Sequence, residues 1–207
     1  MTGMDIGGLL RRTLFEPQTA AAELIALRLP SAVLWQALAL MSVLNAMVYA
    51  LGLILSPPVP GGGTNGDTGF EGEALPMLVA PDPLLFAVAL FVTLALSVLA
   101  LHRVGRRLGG TSGFEALLVL LSWMQVLRLG VQVVVLVLGV LAPGLASIAM
   151  LVAAGWGLYI LTGFVQTAHG FDNGLKALGV VILAMLAVAV GLSFAVSVLI
   201  VMVTGGS

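Results

Sequence analysis

Five apolar runs, at residues 31–55, 84–101, 114–138, 145–166 and 177–203, divide the chain, and only the third carries charged residues. A bilayer core about 30 Å thick takes roughly 20 mostly apolar residues per helix, so these lengths predict five transmembrane helices. The connections are short except for 56–83, which suits one antiparallel bundle. The expected fold is an all-α membrane protein, a five-helix bundle over 31–203.

Residues 1–30 show a different pattern. Ile6, Leu9, Leu10 and Leu14 recur at helical spacing opposite Arg11 and Arg12, and Leu24, Leu27 and Leu29 stand among alanines, Glu23 and Arg28. Pro17 suits the first turn of a helix, where a missing N–H is harmless. Two short amphipathic helices lying in the cytoplasmic interface are expected, with arginines towards lipid phosphates. On this reading they anchor the protein, and the bundle folds without them. Arg11 and Arg12 lead into Thr13, Glu16, Pro17 and Gln18 rather than an apolar core, so no cleaved signal is expected.

Basic residues set the predicted orientation. Arg11, Arg12, Arg28, Arg103, Arg106, Arg107 and Lys176 all flank one side of the spans, whereas 56–83, 139–144 and 204–207 contain no Lys or Arg. This asymmetry predicts a cytoplasmic N-terminus and an extracytoplasmic C-terminus. The 56–83 segment is rich in Pro and Gly and carries Asp67, Glu71, Glu73 and Asp82, reading as a solvated acidic outer loop. Asn65-Gly66-Asp67 only loosely suggests a cation loop, since calcium needs six to eight oxygens.

Of the 207 residues, 60% are hydrophobic and 8% charged, with a mean hydropathy of +1.19. Soluble domains are about half apolar and a quarter charged, so a soluble enzyme is excluded. Eight basic against nine acidic residues, with one lysine, leave no nucleic-acid footprint. The absence of cysteine excludes disulfides, thiolate chemistry and cysteine-held metals.

Candidate chemistry is confined to the third span, where Ser122, Gln125, Arg128 and Gln132 share a helix face. Arg128 lies 14 residues beyond Phe114 at the cytoplasmic edge, about 21 Å along the helix, which places it beyond the midplane and towards the outer leaflet. A lipid-facing charge costs at least about 2.5 kcal/mol, so Arg128 is expected to face the bundle or a wet cavity, or to snorkel outwards. Asn45 is equally far from Ser31 and shares a face with Ser42 and Tyr49. These six residues, Arg128, Gln125, Gln132, Ser122, Asn45 and Tyr49, form the candidate intramembrane site. It reads as structural glue, a lipid or anion site, or a transport path. No acid stands in the interior of any span to pair with Arg128, Glu115 being at the edge of the third, which argues against a proton relay.

The rest of the inventory is structural. Small residues four apart, Ala149/Ala153/Gly157, Ala187/Gly191/Ala195 and Ala46/Ala50, read as helix contacts. His102 and His169 read as polar caps, and Trp35, Trp123 and Trp156 as packing or belt residues. There is no His-Glu-x-x-His helix, nucleophile elbow or phosphate loop, so no enzyme activity, cofactor or metal is expected.

Val104 to Trp123 contains Gly105-Arg106-Arg107-Leu108-Gly109-Gly110 and Ser112-Gly113-Phe114-Glu115-Ala116, and resembles the YIP domain family of multi-span membrane proteins. Glu16-Pro17 and the stretch from His169-Gly170-Phe171 to Lys176-Ala177 extend the likeness to the bacterial branch over nearly the whole chain. The resemblance implies a multi-pass protein of the bacterial inner membrane. Eukaryotic members bind Rab-type GTPases through a longer N-terminal region with an Asp-Leu-Tyr-Gly-Pro motif. That motif is missing here, so Rab binding is not carried over. The sequence thus points to a non-catalytic membrane-organising or scaffold factor with lipid contacts and membrane-protein or homo-oligomeric partners. The alternative is a solute, ion or lipid transport component with a polar path around Arg128.

Overall fold

The computed structural model describes residues 5–55 and 82–204, which form seven helices. Two are short, α1 (Ile6–Phe15) and α2 (Pro17–Ala26). Five are long and apolar enough to cross a membrane: α3 (Ser31–Leu55), α4 (Pro83–Arg107), α5 (Phe114–Leu141), α6 (Pro143–His169) and α7 (Gly174–Thr204). The all-α bundle expected from the pattern is therefore present. The possible cation loop at Asn65-Gly66-Asp67 lies outside the described residues.

Local chemistry accounts for the helix ends. Asp82 caps α4 by accepting from the Leu84 and Leu85 amides at 2.8 and 3.3 Å, and Pro17, Pro83 and Pro143 occupy first turns. The second span, α4, continues past the apolar run to Arg107, because arginine ends a span without ending a helix. Gly170 closes α6 in the left-handed conformation at φ 66°, with the Phe171 amide donating to the Gln166 carbonyl at 3.0 Å.

Around the bundle, α3, α4, α7, α6 and α5 follow one another, and α5 closes the ring against α3. α2 lies across α6 and α5, and α1 packs on α2. The core is not centred along the helices. It gathers Leu34, Val98, Leu117, Leu120, Phe164 and Val180 at the end carrying Arg103, Arg106, Arg107 and Lys176, hereafter the basic end.

Towards the other end, large apolar side chains face outwards: Leu40 to Leu55 on α3, Leu84 to Leu96 on α4, Val131 to Leu141 on α5, Leu145 to Tyr159 on α6 and Ile182 to Val201 on α7. On α7 this stretch covers 19 rises of 1.5 Å, about 28 Å, close to a bilayer core. The chain thus has a packed base and an apolar belt. Ala187, Gly191 and Ala195 are exposed within that belt, so the contact expected from their spacing is not made among the described residues. Ala46 is buried beside Phe86 as its spacing suggested.

α1 and α2 belong to the base. Leu9, Ala20, Ala21 and Leu24 join the main core, and Thr13 is fully buried. The Trp123 indole N–H donates to Thr13 Oγ1 at 3.0 Å, the Trp156 indole N–H to the Leu14 carbonyl at 2.9 Å, and Gln18 Nε2 to Gln166 Oε1 at 2.9 Å. An added Cβ on Gly163 would approach Pro17 Cγ to 2.8 Å, so the α2–α6 contact requires a glycine there. The amphipathic faces are present, but protein covers much of the apolar side. A bundle indifferent to this segment is not what these contacts describe.

Candidate functional site

Two polar regions carry the residues singled out by the sequence, one inside the bundle and one at its basic end.

Inside the bundle, α3 and α5 run alongside each other, starting together where the Trp35 and Phe114 rings lie 6.0 Å apart. Counted from that contact, Asn45 is 10 residues on and Arg128 is 14, so Arg128 lies about one turn further along, near the level of Tyr49. Asn45, Ser122 and Gln125 are buried, while Arg128, Gln132 and Tyr49 are half-buried.

The hydrogen bonds here are mostly internal to one helix. Ser42 Oγ donates to the Leu38 carbonyl at 2.9 Å, Asn45 Nδ2 to Met41 at 2.7 Å and Ser122 Oγ to Leu118 at 2.8 Å. Ser97 does the same to Thr93 at 2.8 Å. In an apolar surrounding such back-bonding satisfies a hydroxyl without a second helix. Tyr49 stacks on Phe86 with centroids 4.4 Å apart, an aromatic contact between α3 and α4. Asn45 Nδ2 thus bonds its own helix, while its Oδ1 is buried without a hydrogen-bond partner among the described residues. Combining Asn45→Ala with Arg128→Leu should add within about 0.5 kcal/mol in a thermal-unfolding cycle. Coupling well above that would show that the two side chains interact.

At the basic end, structure joins segments that sequence could only list. His169 is 1% exposed at the end of α6, with its ring against Gly105 of α4 and Gly110 of the following turn. Its Nδ1 lies 3.2 Å from the Val165 carbonyl, which can only accept, so the proton is on Nδ1. The ring stacks on Phe171 at 5.3 Å, and Lys176 Nζ lies 4.8 Å from the centre of the Phe171 ring. The Thr111 amide donates to the His169 carbonyl at 3.1 Å, tying the α4–α5 turn to the end of α6. Gly109 adopts φ 86° in that turn. His169 is therefore a packed keystone rather than an interfacial polar cap. Its partners on α4 and in the following turn are 58 to 64 positions away in sequence, beyond the reach of local patterning. His102 sits edge-on to Phe114 at 5.9 Å. Among the described residues, no group of three or more His, Asp or Glu converges.

The apolar belt, five long helices and packed base define a multi-pass α-helical membrane protein whose surface contacts lipid. The chain belongs to the Yip1 domain family, whose model matches residues 11–197, nearly the whole chain. That match starts inside α1 and so includes most of the N-terminal hairpin. No curated protein and no solved structure matches the chain.

Proposed function

We propose that the protein acts without catalysis, as a scaffold or membrane-organising factor in the bacterial inner membrane. The observation that supports this reading is that four side-chain donors in the spans bond locally. Ser42, Asn45, Ser97 and Ser122 all donate to the carbonyl one turn earlier, as side chains do when they fill a packed interior. A transport path would instead present such groups to a passing solute. Membrane proteins, a second copy of the chain and lipid are the expected partners. Rab-type GTPases and nucleic acid are not among them.

Copurification from native membrane, with proteins and lipids identified by mass, tests the reading. A scaffold should retain a membrane protein or a second copy in fixed ratio, and sealed proteoliposomes should pass ions and small solutes no faster than empty vesicles. Flux that disappears in Arg128→Leu would replace the scaffold with the transport alternative.

The seven-to-none basic asymmetry supports a cytoplasmic basic end. In sealed cells, an impermeant thiol reagent should reach cysteines at positions 64 and 207 but not one replacing Asp172, which is exposed at the basic end. Ser112 is a poor reporter because it is 4% exposed. Labelling at 172 from outside would reverse the orientation.

A further inference from the structure

Where belt and base meet on α6, a shallow apolar groove of about 370 Å³ runs between the last turn of α1 and α6. Leu14, Phe15, Gly155, Trp156 and Tyr159 line it. Phe15 is 63% and Tyr159 53% exposed, so protein leaves both rings largely uncovered. The floor is bare backbone, since a Cβ on Gly155 would meet no atom within 4 Å. The walls are fixed. Trp156 meets Phe15 edge-on at 6.3 Å, and its indole N–H holds the Leu14 carbonyl.

The groove opens into an outward stripe on α6 through Val152, Leu151 and Ile148, all exposed. From Tyr159 to Ile148 is 11 positions, about 16 Å at 1.5 Å each. That matches one leaflet of a core about 30 Å thick. Aromatic side chains such as Trp156 and Tyr159 favour the boundary between headgroups and chains. At the groove's polar edge, Arg11 lies one turn before Phe15 on the exposed face of α1, and Glu16 follows Phe15. Arg12 is engaged by Glu23 at 3.0 Å, whereas neither Arg11 nor Glu16 has an ion pair among the described residues.

We propose that this groove binds one membrane phospholipid with an amine-bearing, zwitterionic headgroup. One acyl chain lies over Gly155 and down the α6 stripe, the phosphate meets Arg11, and the ammonium meets Glu16. A net-anionic headgroup would place its uncompensated charge beside the Glu16 carboxylate, whereas the zwitterion complements both side chains. The site does not depend on the scaffold reading, because a transporter could carry it equally well.

Native mass spectrometry of the full chain, released from nanodiscs holding equal phosphatidylethanolamine and phosphatidylglycerol, tests the site. The unaltered protein should retain phosphatidylethanolamine in excess. Gly155→Leu places a side chain on the floor, where its Cβ meets no atom, and should lower that adduct about tenfold, equivalent to 1.4 kcal/mol, without lowering the melting temperature. Arg11→Gln should weaken both lipids, and Glu16→Gln should abolish the preference. An equal phosphatidylethanolamine adduct in Gly155→Leu, or a preference for phosphatidylglycerol in the unaltered protein, would overturn the proposal. If Gly155→Leu does not fold, Arg11→Gln decides alone, and undiminished lipid retention in that variant counts against the site.

Discussion

Deleting residues 1–25 should collapse the thermal stability of the bundle in detergent rather than merely loosen its hold on lipid. The deletion strips Leu9, Ala20, Ala21 and Leu24 from the main core and leaves the Trp123 and Trp156 indoles without their acceptors. Point changes should grade the effect. Leu24→Ala opens a cavity at a residue 3% exposed and should cost about 2–5 kcal/mol, roughly 5–15 °C in melting temperature for a chain of this size. Thr13→Val keeps the shape but orphans the Trp123 N–H, worth about 1–3 kcal/mol. Circular dichroism melts of the three proteins check the order. A truncated chain melting with the full one would return α1 and α2 to the role of surface anchor.

Gly105→Ala should also destabilise, against the helix propensity that favours alanine by about 1 kcal/mol in a helix interior. The sign reverses because the new methyl would lie inside the His169 ring. Overpacking of that kind costs about 1–3 kcal/mol or more. His169→Ala removes the obstacle, so the double variant should melt above the sum of the two single losses. Gly110 meets the same ring, and Gly110→Ala should behave alike. Gly155→Ala is the control, with open space at its Cβ. Stabilisation by Gly105→Ala would show that the ring is not wedged where the structure has it.

Periodicity and composition made the five long helices legible, because a bilayer forces backbone hydrogen bonds into helices and apolar side chains outwards. Pro17 in a first turn was legible for the same local reason. The base was not. The burial of Thr13 depends on Trp123, 110 positions away, and that of His169 on glycines in another helix. An amphipathic face looks the same whether lipid or protein covers it, so α1 and α2 could be recognised as helices without revealing what they pack against. The polar stripe itself was legible as a shared face, yet spacing cannot show that Asn45 turns its amide back onto Met41.

The central claim is that the polar layer around Gln125 is packed and dry, and water access tests it most directly. Gln125 is 6% exposed between helices and carries no charge. With cysteine at position 125 of an otherwise cysteine-free chain, small water-soluble thiol reagents added from either side of sealed vesicles should fail to react on the timescale that labels a cysteine at exposed Asp172. Reaction at 125 from both sides, protected by a solute, would reveal a continuous aqueous path and contradict the account.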